Sequence, residues 1–117
     1  MTRYVVDGAV VRPGRRSAAF DRVLRQNVSR TGTFVAADNP MSRRMPEGWN
    51  RRMRQRLIEA TRRVPVLPAT GSWRGWEEVH LLLFGDPRPA FRLARRFRQR
   101  AVVVCRRDQP AEVVFLV

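Results

Sequence analysis

The hydrophobic pattern of this chain changes period several times, most clearly over Val79–Cys105. Val79–Phe84 is a nearly unbroken apolar run, as expected of a strand covered on both faces. Gly85 ends it. Asp86 is placed to cap a helix, and Pro87 suits the first helical position, where its missing N–H would lack a partner anyway. Ala90, Leu93, Ala94, Phe97 and Ala101 then recur at helical spacing, with Arg88, Arg92, Arg95 and Arg96 on the opposite side. Ala101–Cys105 returns as a β-branched strand.

The remaining segments follow the same rules. Tyr4–Val11 predicts a hairpin turning at Asp7-Gly8, a dipeptide suited to two positive φ angles. Ser17 is a candidate cap for a helix lined by Phe20, Val23, Leu24 and Asn27. Thr33–Asp38 predicts a strand that stops at Asn39-Pro40. A second helix starts at Pro46 and Glu47, with Trp49, Met53, Leu57 and Ala60 as its apolar stripe. Arg51, Arg52, Arg54, Arg56, Arg62 and Arg63 cover its other sides. Val64–Pro68 is extended, and its two prolines predict an edge strand. Ala69–Gly75 reads as a Gly/Ser loop holding Trp73. Glu112–Val117 closes the chain as a last strand.

From residue 33 to 105 the order is strand, helix, two strands, helix, strand. Right-handed crossovers then favour an α+β, ferredoxin-like βαββαβ sandwich with both helices on one face of an antiparallel or mixed sheet. The closing strand over 112–117 extends the sheet. The N-terminal hairpin and helix over 4–28 are expected to cover its other face. All of this fits one domain over 1–117.

Charge adds a possible partner. There are 24 basic residues against 10 acidic ones, a net charge of +14, and every basic residue is arginine. Codon bias explains arginine in place of lysine but not the shortage of acids. A single cysteine, Cys105, forms no internal disulfide and matches no zinc spacing. The first residues lack the apolar core of a signal peptide, and no run reaches membrane-spanning length. The expectation is a cytoplasmic protein with no membrane partner, no metal and no cofactor motif.

Several pieces together resemble a bacterial family of unknown function, DUF3293. Ala36-Ala37-Asp38-Asn39-Pro40-Met41-Ser42 ends a strand in N-P-x-S. Asn50 follows in the next helix, and Glu77-Glu78 follow a tryptophan. Leu93-Ala94-Arg95-Arg96-Phe97-Arg98-Gln99-Arg100-Ala101 leads into a valine strand. The chain departs from the family at Ala36-Ala37-Asp38, where Thr-Ala-aromatic is usual, and at Arg98 and Arg100, where Gly and Asn are usual. The resemblance implies an α+β fold and no particular activity.

Two groups of residues carry candidate chemistry. Asp38, Asn39, Ser42, Glu77, Glu78 and Gln99 form a polar site at the end of a strand, where binding groups are often held. Their alternative roles are local turns and caps for Asn39 and Ser42, and arginine ion pairs for the glutamates. His80 is the one histidine, lies in an apolar run and reads as packed. A Ser-His-Asp hydrolase would have to use it with Ser17, Ser29, Ser42 or Ser72, none in a Gly-x-Ser-x-Gly context. Trp73 and Trp76 would stack on a base or ligand, or cap the core. The second group is Arg51, Arg52, Arg88, Arg92, Arg95 and Arg96. On two neighbouring helices these would merge into a basic slab for nucleic acid or an acidic protein, or remain a solvated face. The basic slab is the leading functional expectation. A small enzyme or ligand-binding protein using the polar site is the alternative.

Overall fold

In the computed structural model, which describes residues 2–117, the chain forms seven strands and three α-helices. In order they are β1 (Arg3–Val6), β2 (Ala9–Val11), α1 (Ala18–Gln26), β3 (Thr31–Ala36), α2 (Glu47–Ala60), β4 (Val66–Trp73), β5 (Trp76–Phe84), α3 (Pro87–Arg96), β6 (Ala101–Arg106) and β7 (Glu112–Phe115). A short 3-10 turn, Pro40–Ser42, separates β3 from α2. The strands form one sheet in the order β2-β1-β4-β5-β3-β6-β7, and every ladder is antiparallel.

Local chemistry explains the element ends. Asp7 and Gly8 take φ of 50° and 79°, as the two-residue hairpin turn requires. The Ser17 hydroxyl accepts from the Phe20 amide and starts α1. Asp86 accepts from the Arg88 amide at the start of α3, with Pro87 in the first turn.

The sheet curls. Pro13, just past β2, bridges to Ala111, just before β7, although these strands are the two opposite edges. The Gly14 amide donates to the Ala111 carbonyl at 2.7 Å, and the Ala111 amide donates to the Arg15 carbonyl at 3.0 Å. The edges therefore meet around α1, which lies inside the trough. Phe20, Val23 and Leu24 of α1 pack there with Val6, Val11, Phe34, Leu82 and Val103. On the outer face, Leu57 of α2 and Ala90, Ala94 and Phe97 from α3 and its C-cap join Val35, Leu81, Leu83, Val102 and Val104. Leu82 thus faces one core while Leu81 and Leu83 face the other, which accounts for the two-sided apolar run in β5.

Four expectations need correction. The N-terminal hairpin does not cover a face; it joins the sheet as β1 and β2, and α1 alone covers the inner face. Residues 69–73 are not a loop but the second half of β4, and Trp73 pairs with Trp76 across a tight turn. β4 is not an edge strand along its whole length. β1 pairs only with Thr70–Ser72, so Pro68 lies where β4 has a single neighbour and its missing N–H leaves no gap in the ladder. Finally, Ala60 is exposed and Thr61 is buried at the end of the α2 stripe. There the Thr61 hydroxyl donates to the Leu57 carbonyl at 2.9 Å, so a polar side chain is satisfied in the core.

Truncating Leu82, which is fully buried, is expected to cost about 2–5 kcal/mol because it leaves a cavity between tightly packed strands. Ile58→Ala on the exposed side of α2 is expected to change stability by no more than about 0.5 kcal/mol. Urea denaturation of the two variants measures this contrast, and equal losses would contradict the two-layer core.

Candidate functional site

α1 has nine residues, so it is only about 13 Å long. The nine residues of β5 reach about 30 Å. The helix leaves one end of the trough open, and a cavity of about 320 Å³ lies there. Alternation along β5 puts Trp76, Glu78 and His80 on the same face as Leu82. Across the sheet, Tyr4 of β1 pairs with Gly71 of β4, which pairs with Glu78. The cavity is thus lined by Tyr4, Glu78, His80, Trp73 and Trp76, and by Asn39, Ser42, Gln99 and Arg100 from two loops at its mouth.

Gly71 makes room in the floor. A Cβ at that position would fall 2.6 Å from His80 Cε1 and 3.0 Å from Tyr4 Cε1. Its absence lets the two rings meet edge to face, with centroids 5.2 Å apart. His80 Nδ1 lies 3.2 Å from the Glu78 carbonyl. A carbonyl only accepts, so Nδ1 carries the proton and Nε2 presents a lone pair. Burial lowers the His80 pKa to about 4 and keeps the ring neutral. Burial, and secondarily the Glu78 charge, raises the Tyr4 phenol to about 12.

The mouth is held by one carboxamide. Asn39 sits in the left-handed region at φ 49°, ψ 65°, which a short side chain able to bond locally tolerates. Its Nδ2 donates to Glu78 Oε2 at 2.6 Å. Its Oδ1 accepts from the Met45 amide at 2.8 Å and from Asn50 Nδ2 at 3.0 Å, while its own amide donates to Asn50 Oδ1 at 3.0 Å. One residue therefore ties the end of β3 to the start of α2 and to β5. A second clip joins the turn to the segment before β6. Gln99 Nε2 donates to the Asp38 carbonyl at 3.0 Å, the Met41 amide to the Arg98 carbonyl at 2.7 Å, and Arg100 Nε to the Met41 carbonyl at 3.2 Å.

Of the six polar residues singled out from sequence, Asn39, Ser42, Glu78 and Gln99 meet at this cavity. Asp38 and Glu77 do not. They line a neighbouring cleft of about 400 Å³ with Arg44, Glu47, Asn50 and Arg54. Asp38 pairs with Arg54 at 3.0 Å, and Arg54 also bonds Glu47. Arg54 is therefore largely buried against Asp38 and is not one of the solvated arginines of α2. The Asp38 pKa is raised to about 6 by burial, which outweighs Arg54, and Glu78 and Glu47 add to the rise. Asp38 Oδ1 has no partner among the described residues. Burial also raises the pKa of Glu78, against the hydrogen bond from Asn39.

The expected arginine ion pairs of Glu77 and Glu78 are absent among the described residues; Glu78 is held by Asn39 instead. Ser42 caps nothing. No serine hydroxyl bonds His80 among the described residues, so no Ser-His relay is assembled. Tyr4 and His80 were not visible as site residues, because an isolated ring in an apolar strand looks the same whether it faces a core or a cavity. The pairing of Tyr4 with Gly71 shows the difference, since the glycine leaves a gap beside both rings.

The arginine candidates are all exposed. Arg52 and Arg56 of α2 share a groove of about 610 Å³ with Arg96 of α3. Arg88 is engaged by Asp86, at 2.7 Å.

Fold and geometry define a small mixed α/β protein with one polar, aromatic-walled cavity at the open end of a curled antiparallel sheet. The sequence profile of DUF3293, proteins of unknown function, matches residues 35–102, and the chain belongs to that family. The matched span includes Asn39, Asn50, Glu78, His80 and Gln99; Tyr4 lies outside it. No curated protein and no solved structure matches the chain. No helix among the described residues is long and apolar enough to cross a membrane.

Asp38 and His80 set opposite pH slopes. Asp38 rises from 3.8 to about 6 on folding, so the folded state keeps a proton that the unfolded chain releases, and stability falls as pH rises through that window. His80 drops from 6.5 to about 4, so only the unfolded chain takes up a proton there, and stability rises with pH between those values. Between pH 4 and 6, wild type is expected to lose stability relative to Asp38→Asn and to gain it relative to His80→Gln. Denaturation at several pH values reads both differences, and trends of the same sign would contradict the assignment.

Proposed function

We propose that this protein binds a small, flat, donor-bearing ligand in the cavity at the open end of the trough. The observation that supports this best is the convergence of Asn39, Ser42, Glu78 and Gln99, from three separate segments, onto one cavity with Tyr4, His80 and two tryptophans. Convergent polar groups in an apolar-walled cavity of a few hundred Å³ are the usual make-up of a ligand site. Asn39 and the Gln99 amide nitrogen act as positioning groups, because their hydrogen bonds are spent on the protein. The groups left to meet a ligand are Glu78 Oε1, His80 Nε2, Gln99 Oε1 and the hydroxyls.

A second reading concerns the outer face. Packing of α2 and α3 against the same side of the sheet supports a continuous basic surface, with Arg51, Arg52, Arg92, Arg95 and Arg96 available to phosphates of nucleic acid or to an acidic protein. The order β6-β3-β5-β4, with both helices on one face, supports a ferredoxin-like description of the core. The one cysteine is buried, which suits a reducing compartment such as the bacterial cytoplasm.

Benzamidine, a flat cation with N–H donors, serves as the probe for the cavity. At millimolar concentration it is expected to shift the indole N–H NMR signals of Trp73 and Trp76 but not that of Trp49 on α2, and Glu78→Gln is expected to weaken it. No selective shift would contradict the ligand reading. For the outer face, a duplex DNA or RNA is expected to bind with an affinity that falls steeply with salt, and Arg52→Ala with Arg96→Ala is expected to lower the log–log salt slope by about two. No binding at low salt would contradict it.

A further inference from the structure

The cavity is lined by three kinds of group. Its polar lining offers acceptors. Glu78 has one oxygen held by Asn39 and the other directed to no protein donor among the described residues. His80 spends Nδ1 on a carbonyl and has an unprotonated Nε2. Gln99 spends its NH₂ group on the Asp38 and Phe97 carbonyls and keeps its own oxygen. Acceptors on this scale stand out in a chain of net charge +14.

The walls are aromatic, and one arginine stands at the mouth. Trp73 and Trp76 face each other across the β4–β5 turn and both line the cavity. Outside the cavity, Arg74 lies over the Trp73 ring at 4.9 Å, and Arg44, in the neighbouring cleft, over the Trp76 ring at 5.2 Å. Arg100 reaches the mouth, with only its Nε engaged, on the Met41 carbonyl. A matching ligand carries N–H donors at its inner edge, a flat body and a negative charge at its outer end.

Building on the ligand reading above, we infer that the cavity takes the base of a purine nucleotide, guanine in preference to adenine, with the phosphate on Arg100 at the mouth. Guanine offers two adjacent N–H donors on its Watson–Crick edge to Glu78 and its acceptor neighbours. Adenine offers one amino group beside an acceptor nitrogen, which would face a carboxylate. Stacking on an indole is tolerant of base identity, so the walls hold the ring and the acceptors select it. Arginine forks match phosphate oxygens. The base would belong either to a free nucleotide or to a single strand.

The test follows the three indole N–H signals while GMP, AMP, inorganic phosphate and the pentanucleotides UUGUU and UUAUU are titrated. GMP is expected to move Trp73 and Trp76 but not Trp49, and to bind about tenfold or more tightly than AMP, the discrimination typical of a good paired contact to a base edge. Glu78→Gln, which replaces an acceptor oxygen with a donor, is expected to abolish that preference, and Trp73→Ala, at an exposed position, to weaken both nucleotides. UUGUU binding within about threefold of GMP identifies a free nucleotide as the ligand; binding far tighter identifies a strand. Equal affinity for GMP and AMP, or a preference that survives Glu78→Gln, overturns the inference. Benzamidine shifts without nucleotide shifts overturn it while leaving the ligand reading standing, and absence of both overturns the two together. Phosphate moving the same indoles as strongly as GMP also overturns it, because the base would then contribute nothing.

Discussion

A buried side-chain amide joined to a carboxylate organises this end of the molecule. Asn39 holds Glu78, the Met45 amide and Asn50 at once, from a backbone position with positive φ. A hydrogen bond to a charged group is worth more than one between neutral groups, and a buried partner left unpaired is costly. The bend after β3, the entry to α2 and the direction of the Glu78 side chain are therefore set together. Without that clip, Glu78 would be a half-buried carboxylate with no compensation.

The cavity itself follows from a mismatch of lengths. The sheet curls until its edge strands meet through Pro13 and Ala111, which forms a trough. A nine-residue helix fills one part of it with Phe20, Val23 and Leu24. The rest is lined by Tyr4, His80 and two tryptophans with the polar groups at the mouth, and by a glycine where a side chain would block the floor. On the outer face, α2 and α3 are packed over the apolar side of the same strands, and their arginines remain in water. The two faces of one sheet thus differ: the outer side presents charge, and the inner side combines a core with a cavity.

Much of the fold was legible because it depends on short-range rules. Caps at Ser17 and Asp86, the Asp7-Gly8 turn and the two-sided run of Leu81, Leu82 and Leu83 each declare themselves locally. The shared face of the two later helices followed from strand order and handedness. What was hidden depends on long-range pairing. Gly71 and Ser72 read as loop residues until β1 and β5 flank them, because small polar residues acquire strand geometry only from their neighbours. The same pairing exposes Tyr4 and His80 to the cavity. Asn39, Ser42, Glu78 and Gln99 were recognisable as polar residues near element ends, but their division into positioning groups and free acceptors required hydrogen-bond partners. Arg54 looked like any other surface arginine because its partner Asp38 is 16 residues away, on another element.

The most direct test of this account is a double-mutant cycle between Asn39 and Glu78. Asn39→Gly removes the amide while keeping a residue that accepts positive φ, and Glu78→Ala removes the carboxylate. Unfolding free energies of wild type, both single variants and the double variant give the coupling. A coupling of about 1.5–3 kcal/mol is expected for a hydrogen bond to a charged group at this site. Additivity within about 0.5 kcal/mol would show that the two side chains do not hold each other, and would contradict the organisation described for the whole cavity.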